Sequence, residues 1–213
     1  MKLAACGLRH HAFDAKDFLK DTNYELKYFV EIIPEDKEHK IFRHLEKLIK
    51  SKEIDGVLFV LYSSTTKLDS AIKFCKVHSF PNIGVLDLIS VKYLYNPEDA
   101  IHWLDPTKDG YITYMETNII DSCNLNCKGC SHFSSLFTDK DFYDVNSFAR
   151  DVQRISEKFD VIRFRLLGGE PFKKHDLADY IKISAKHFPK THVHLVTNGL
   201  LILNTLPVTK CHS

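Results

Sequence analysis

The sequence predicts an α/β protein built on mostly parallel sheets, and three observations carry that prediction. Short apolar runs alternate along the 213-residue chain with stretches of helical spacing. The run GVLFVLY at residues 56–62 has no polar alternation, as expected of a strand covered on both faces. The segment DPTKDG at 105–110 has turn chemistry and no apolar period, and it separates a first domain, residues 1–104, from a second, residues 111–213.

In the first domain, residues 2–6, 26–33, 56–62 and 83–88 read as strands separated by helices, a Rossmann-like parallel arrangement. Ile41, Phe42, Leu45, Leu48 and Ile49 recur at helical spacing, with Arg43, Glu46 and Lys47 on the other faces. Leu68, Ala71, Ile72 and Cys75 share one face of the next helix, where Cys75 reads as a small core residue. NPEDAIHWL at 96–104 reads as a short helix opened by a turn. Gly7 stands alone where a dinucleotide fingerprint needs three glycines, and no phosphate-binding loop is present, so no nucleotide is assigned here. His10 and His11 read as loop residues, and SSTT at 63–66 as a helix cap.

Composition narrows the function classes. A hydrophobic content of 44% supports real cores, and a net charge of +1 provides no basic field for nucleic acid. No run approaches the roughly 18 apolar residues of a membrane span, and the first residues lack a signal-peptide core, which points to a cytoplasmic protein. Of the six cysteines, Cys6, Cys75 and Cys211 are scattered, unlike a secreted disulfide framework.

The other three cysteines organise the second domain. A strand-like segment from Tyr111 leads into DSCNLNCKGCSHF, which places Cys123, Cys127 and Cys130 within eight residues. Clustered thiolates are soft ligands for iron–sulfur clusters and zinc. Three on a four-iron cube leave one iron an open position, and open positions serve chemistry. A helix is expected over 145–159, a strand over 161–167, a helix over 177–188 and a strand over 192–196. Ile162, Phe164 and Leu166 then point one way, and Arg163 and Arg165 the other, toward a carboxylate or a surrounding helix. Parallel strands joined by helices form a β/α barrel or a doubly wound sheet, and both place active sites at the carboxyl ends of the strands. The cysteine loop, GGEP at 168–171 and TNG at 197–199 each follow such an end. Gly168 and Gly169 allow close backbone approach, and Pro171 fixes the turn.

CNLNCKGC, GGEP and TNG together resemble the radical S-adenosylmethionine (SAM) superfamily over about the last hundred residues. The resemblance implies that Cys123, Cys127 and Cys130 hold a 4Fe–4S cluster whose unique iron chelates SAM. An electron from the cluster, supplied by a reductant such as flavodoxin or ferredoxin, then splits the sulfonium. The resulting 5′-deoxyadenosyl radical takes a hydrogen atom from an unidentified substrate. Gly168, Gly169, Glu170 and Pro171 are implied to contact the SAM amino group, with Glu170 as acceptor, and Asn198 to lie near SAM. Gly129 stands where the family often has an aromatic residue, so cover for the cluster is expected from Phe133. The family core has six β/α repeats and this chain supplies about three. The implied fold is a partial barrel, completed by a missing C-terminal half or a partner chain. The alternative is a non-catalytic iron–sulfur or zinc module, in the zinc case with His132 as fourth ligand.

Overall fold

The computed structural model describes residues 1–7, 11–31, 40–61, 66–89, 97–137 and 143–202. The chain forms two compact units, Met1–Thr107 and Lys108–Ser213.

In the first unit, β1 (Lys2–Gly7), β2 (Glu25–Glu31), β3 (Gly56–Leu61), β4 (Ile83–Asp87) and β5 (Ile101–Trp103) make one sheet in the order β2-β1-β3-β4-β5. The first four strands run parallel, and β5 pairs antiparallel with β4. Every residue of β3 and β4 is buried, which is what an unbroken apolar run requires. The connecting helices are α1 (His11–Leu19), α2 (Lys40–Lys50) and α3 (Thr66–Val77). Ala15 and Leu19 of α1 pack with Leu3, Ala5, Leu58 and Val60. The alternate strand residues Ala4, Cys6, Val57 and Phe59 are also buried, so the middle of the sheet is covered on both sides. On α3, Leu68, Ala71, Ile72 and Cys75 form the expected buried stripe.

Residues 97–104 differ from the helix expected over 96–104, and Asn96 lies outside the described residues. A single 3-10 turn, Pro97–Ala100, leads directly into β5. The β-branched and aromatic pair Ile101 and Trp103 favours an extended edge strand, and Trp103 donates its indole N–H to the Tyr24 hydroxyl at 3.3 Å. His10, residues 32–33 and residues 63–65 lie outside the described residues, as do the side chains of His11, Ile41 and Phe42.

The second unit contains β6 (Gly110–Ile112), β7 (Met115–Ile120), α4 (Val145–Lys158), β8 (Phe159–Val161), β9 (Arg163–Gly168), α5 (Leu177–His187) and β10 (His192–Leu195). β7, β9 and β10 form a parallel sheet in sequential order, and β6 pairs in parallel with β8 as a separate ribbon. The expected strands at 111 and 161–167 are therefore each divided in two. Ile162, between β8 and β9, donates its amide to the Ile112 carbonyl at 2.8 Å, which ties the ribbon together at the break. Asp144 caps α4, its carboxylate accepting the amides of Asn146 and Ser147 at 3.0 Å each.

Helices α4 and α5 pack on the same face of the β7-β9-β10 sheet. Phe148 and Val152 from α4 and Leu177 and Tyr180 from α5 join Phe164, Leu166 and Ile119 in one core. Phe148 stacks on Phe164 with ring centroids 6.2 Å apart and meets Tyr180 at 4.9 Å. Strand register places Glu116 beside Arg165 and Arg165 beside His194, residues that alternate with the core set. One face of the sheet is thus apolar and covered by helices, and the opposite face is polar.

Candidate functional site

Past the carboxyl ends of β7, β9 and β10, three loops interlock through backbone contacts. The amide of Gly169 donates to the Ile120 carbonyl at 2.8 Å, and the amide of Glu170 to the Ser122 carbonyl at 3.1 Å. The pairing of β7 with β9 therefore continues into the cysteine loop. Both glycines are needed for this approach. A Cβ on Gly168 would lie 1.9 Å from the Ile120 carbonyl oxygen, and its φ of +146° is one that side chains rarely adopt. A Cβ on Gly169 would lie 2.2 Å from the Ser122 carbonyl oxygen. The paired glycines thus seat the protein's own cysteine loop.

Glu170 is wholly buried, and its carboxylate is held by the protein. One oxygen accepts the Phe172 amide at 3.0 Å and the Thr197 hydroxyl at 2.7 Å, and the other accepts the Asn198 amide at 2.8 Å. Both oxygens are therefore engaged within the protein. Three charge-assisted bonds are what make a buried carboxylate tolerable. The Asn198 side-chain amide in turn donates to Asn124 Oδ1 at 2.8 Å and lies 3.8 Å from Cys123 Sγ. Lys173 Nζ donates to Ser122 Oγ at 3.0 Å. Thr197, Lys173, Ser122 and Asn124 were not singled out from the sequence. Thr197 alone carried a signal, as the first residue of TNG.

Cys123, Cys127 and Cys130 are free thiols that line one cleft of about 510 Å³ together with Gly168, Gly169 and Asn198. Glu170 and Pro171 are buried and do not line it, and Phe133 is 64% exposed and does not line it either. The Leu125 amide donates to Cys123 Sγ at 3.4 Å, and the Cys130 amide donates to the Cys127 carbonyl at 3.2 Å. Backbone amides of Ser134 and then His132 hold the Cys130 thiol below its ordinary pKa, which favours the ligating thiolate. Among the described residues, no group of three or more His, Cys, Asp or Glu side chains stands in an arrangement that could hold a metal ion. The expected three thiols, and equally the zinc set with His132, share a loop and a cleft without being drawn onto one point. Tyr114, Glu116 and Arg165 form the cleft wall along the polar face of the sheet.

Fold and cleft together define a parallel β/α unit with a cleft lined by three free thiols at its strand carboxyl ends. Residues 117–207 match the family model of the Radical SAM superfamily. The GTP 3′,8-cyclase of Paenarthrobacter nicotinovorans is 30% identical over 90 residues, 41% of this chain and 25% of that protein. The GTP 3′,8-cyclase of Clostridium perfringens (strain 13 / Type A) is 31% identical over 101 residues, 45% of this chain and 31% of that protein. That of Alkaliphilus metalliredigens (strain QYMF) is 31% identical over 93 residues, 43% and 29% respectively. The chain thus spans about a quarter to a third of the length of these relatives. The cofactors of the superfamily are a 4Fe–4S cluster and SAM, and its enzymes require a reductant and a substrate. No helix among the described residues is long and apolar enough to cross a membrane.

Proposed function

We propose that the second unit is a partial radical SAM barrel in which Cys123, Cys127 and Cys130 take up a 4Fe–4S cluster and SAM binds along Gly168, Gly169 and Asn198. The single observation that carries this reading is that the three free thiols and both turns border one cleft at the same end of a parallel sheet. The donor set suits the group: soft sulfur, half-exposed or exposed on a short loop, with one thiol already biased toward thiolate. Gathering the sulfurs onto one centre is a local rearrangement of a loop anchored at its start through Ser122 and closed at its end by a turn from Cys130 to Phe133.

When bound, the cluster supplies the electron that cleaves SAM to methionine and a 5′-deoxyadenosyl radical. The chain's own residues shape and orient the site. Gly168 and Gly169 keep the cleft floor free of side chains beside the cysteine loop. Glu170 holds the rim rather than the ligand, by fixing Thr197 and Asn198 in place. The Asn198 amide then faces Cys123 and donates toward its sulfur, a contact that steadies a thiolate ligand.

Sequential strand order with both helices on one face supports the barrel reading, because that arrangement curls a sheet around its uncovered polar side. The reversal of strand order at β1 supports a Rossmann-like first domain over residues 1–104, joined by a linker at 105–110. A cytoplasmic enzyme reduced by flavodoxin or ferredoxin completes the proposal, and the names of the relatives make GTP the first substrate to try. Anaerobic iron and sulfide reconstitution tests it. The expected result is a brown protein with about four irons per chain and dithionite-dependent release of 5′-deoxyadenosine, both lost in Cys127→Ala. Full iron content in Cys127→Ala would reject the ligand assignment. Zinc in place of iron, or a cluster with no cleavage product, would favour the scaffold reading.

A further inference from the structure

We infer that Lys173 is a positioning residue of the thiol site: its ammonium, held against Ser122, fixes a positive charge beside Cys123 and favours electron uptake by the cluster. This rests on the reading of Cys123, Cys127 and Cys130 as cluster ligands and adds what sets the potential there.

The segment GGEPFKKHD puts two lysines side by side after the glycine turn, and the fold sends them to different partners. Lys174 is buried, with its Nζ 5.1 Å from the centre of the Tyr180 ring and 3.5 Å from the Asp176 carboxylate. Lys173 is half-buried and turns its Nζ to Ser122 Oγ at 3.0 Å. Among the described residues that ammonium meets a hydroxyl and forms no ion pair, so its charge is not neutralised. A half-buried charge is also less screened by salt than an exposed one.

Backbone bonds fix where the charge sits. The Ser122 carbonyl accepts the Glu170 amide at 3.1 Å, and the Lys173 amide donates to the Glu170 carbonyl at 3.0 Å. The Glu170 carboxylate accepts the Phe172 amide at 3.0 Å, which holds the intervening turn. Both ends of the Lys173–Ser122 bond therefore belong to one hydrogen-bonded unit. Ser122 is buried and directly precedes Cys123, and successive Cα atoms lie about 3.8 Å apart. Three thiolates leave a 4Fe–4S assembly anionic, and an added electron makes it more so. A fixed cation one residue from a ligand favours the reduced form, because net charge and neighbouring hydrogen bonds set the potential of such clusters. At the effective dielectric of a protein, a unit charge at that range changes the reduction equilibrium about tenfold.

Redox titration of the reconstituted full chain, followed by the electron paramagnetic resonance signal of the reduced cluster, tests the inference. Lys173→Met should make reduction about tenfold less favourable, a midpoint about 59 mV lower for one electron. Lys173→Arg keeps the charge and should stay near wild type. Ser122→Ala frees the ammonium without removing it, so its midpoint should fall between wild type and Lys173→Met. The shift is read only on clusters that have formed, which separates charge from loss of iron. In the metal-free chain, iodoacetamide should modify Cys123 faster in Lys173→Met and Ser122→Ala, and at the wild-type rate in Lys173→Arg. That second readout tests the contact even where a variant holds no cluster. A Lys173→Met midpoint equal to wild type, equal shifts in the Met and Arg variants, or unchanged Cys123 modification in a variant without a cluster would overturn the inference. A wild-type chain that takes up no cluster overturns the underlying reading too, whereas a three-cysteine cluster with an unmoved potential removes this inference alone.

Discussion

Replacing Glu170 separates a structural staple from a ligand-binding carboxylate. The side chain is fully buried and accepts three hydrogen bonds, from Phe172 N, Thr197 Oγ1 and Asn198 N. In Glu170→Ala the Thr197 hydroxyl can rotate to another acceptor, but the two amides are fixed by the backbone. A stranded amide costs about 1–3 kcal/mol when fully buried, and these two are partly buried, so the loss is at most about 6 kcal/mol before any cavity is counted. Against a typical total of about 5–15 kcal/mol, that is a large fraction. Glu170→Gln keeps the volume and one carbonyl oxygen but turns an NH₂ toward at least one donor, so about 1–3 kcal/mol is expected. Urea unfolding followed by far-UV circular dichroism on the cofactor-free chain should order the proteins wild type, Gln, Ala. Hydrogen exchange should accelerate at the Phe172 and Asn198 amides in the same order. If both variants kept the wild-type midpoint and amide protection, the staple would be refuted and the carboxylate would be free to serve a ligand.

Three further outcomes follow from the geometry. Gly168→Ala should lose about 1–3 kcal/mol from backbone strain alone and more from the clash with the Ile120 carbonyl, measured as a lower urea midpoint together with altered alkylation of Cys123. Iodoacetamide modification of Cys130 should inflect below the ordinary cysteine value of about 8.5, because its lowered pKa yields thiolate at lower pH; mass-spectrometric mapping of rate against pH reads this directly. Cys6 and Cys75, both buried, have thiol pKa values pushed up by desolvation, that of Cys75 to about 12. Neither should react with an aromatic disulfide reagent in the native protein, and both should react after unfolding in urea.

Where a segment's local pattern and its final environment agreed, the sequence was a sufficient guide. The GVLFVL run of β3 is buried at every position, and the α3 stripe faces the core. Arg163 and Arg165 alternate with the buried Phe164 and Leu166 as a period of two demands. Reading failed where tertiary partners decided. IHW became an edge strand because β4 offered a free side, something no local signal in NPEDAIHWL records. The breaks at Thr113–Tyr114 and at Ile162 carry no glycine or proline, so the apolar period runs straight through them. At the cleft, the cysteines and turns were legible as motifs. The hydrogen bonds that hold Glu170 were not, because their donors on Thr197 and Asn198 lie 27 and 28 residues downstream.

The contact between Asn198 and Cys123 spans 75 positions of sequence, and the Lys173 contact to Ser122 spans 51. A nascent polypeptide therefore emerges with its thiols long before the residues that seat them have been synthesised. Metal delivered during translation would meet an unshaped tether, open to mismetallation and oxidation. Delivery after the TNG turn has folded would meet a loop already tied to its neighbours, whose thiols have only to gather onto one centre. The order of maturation is in this way written into the spacing of the bonds.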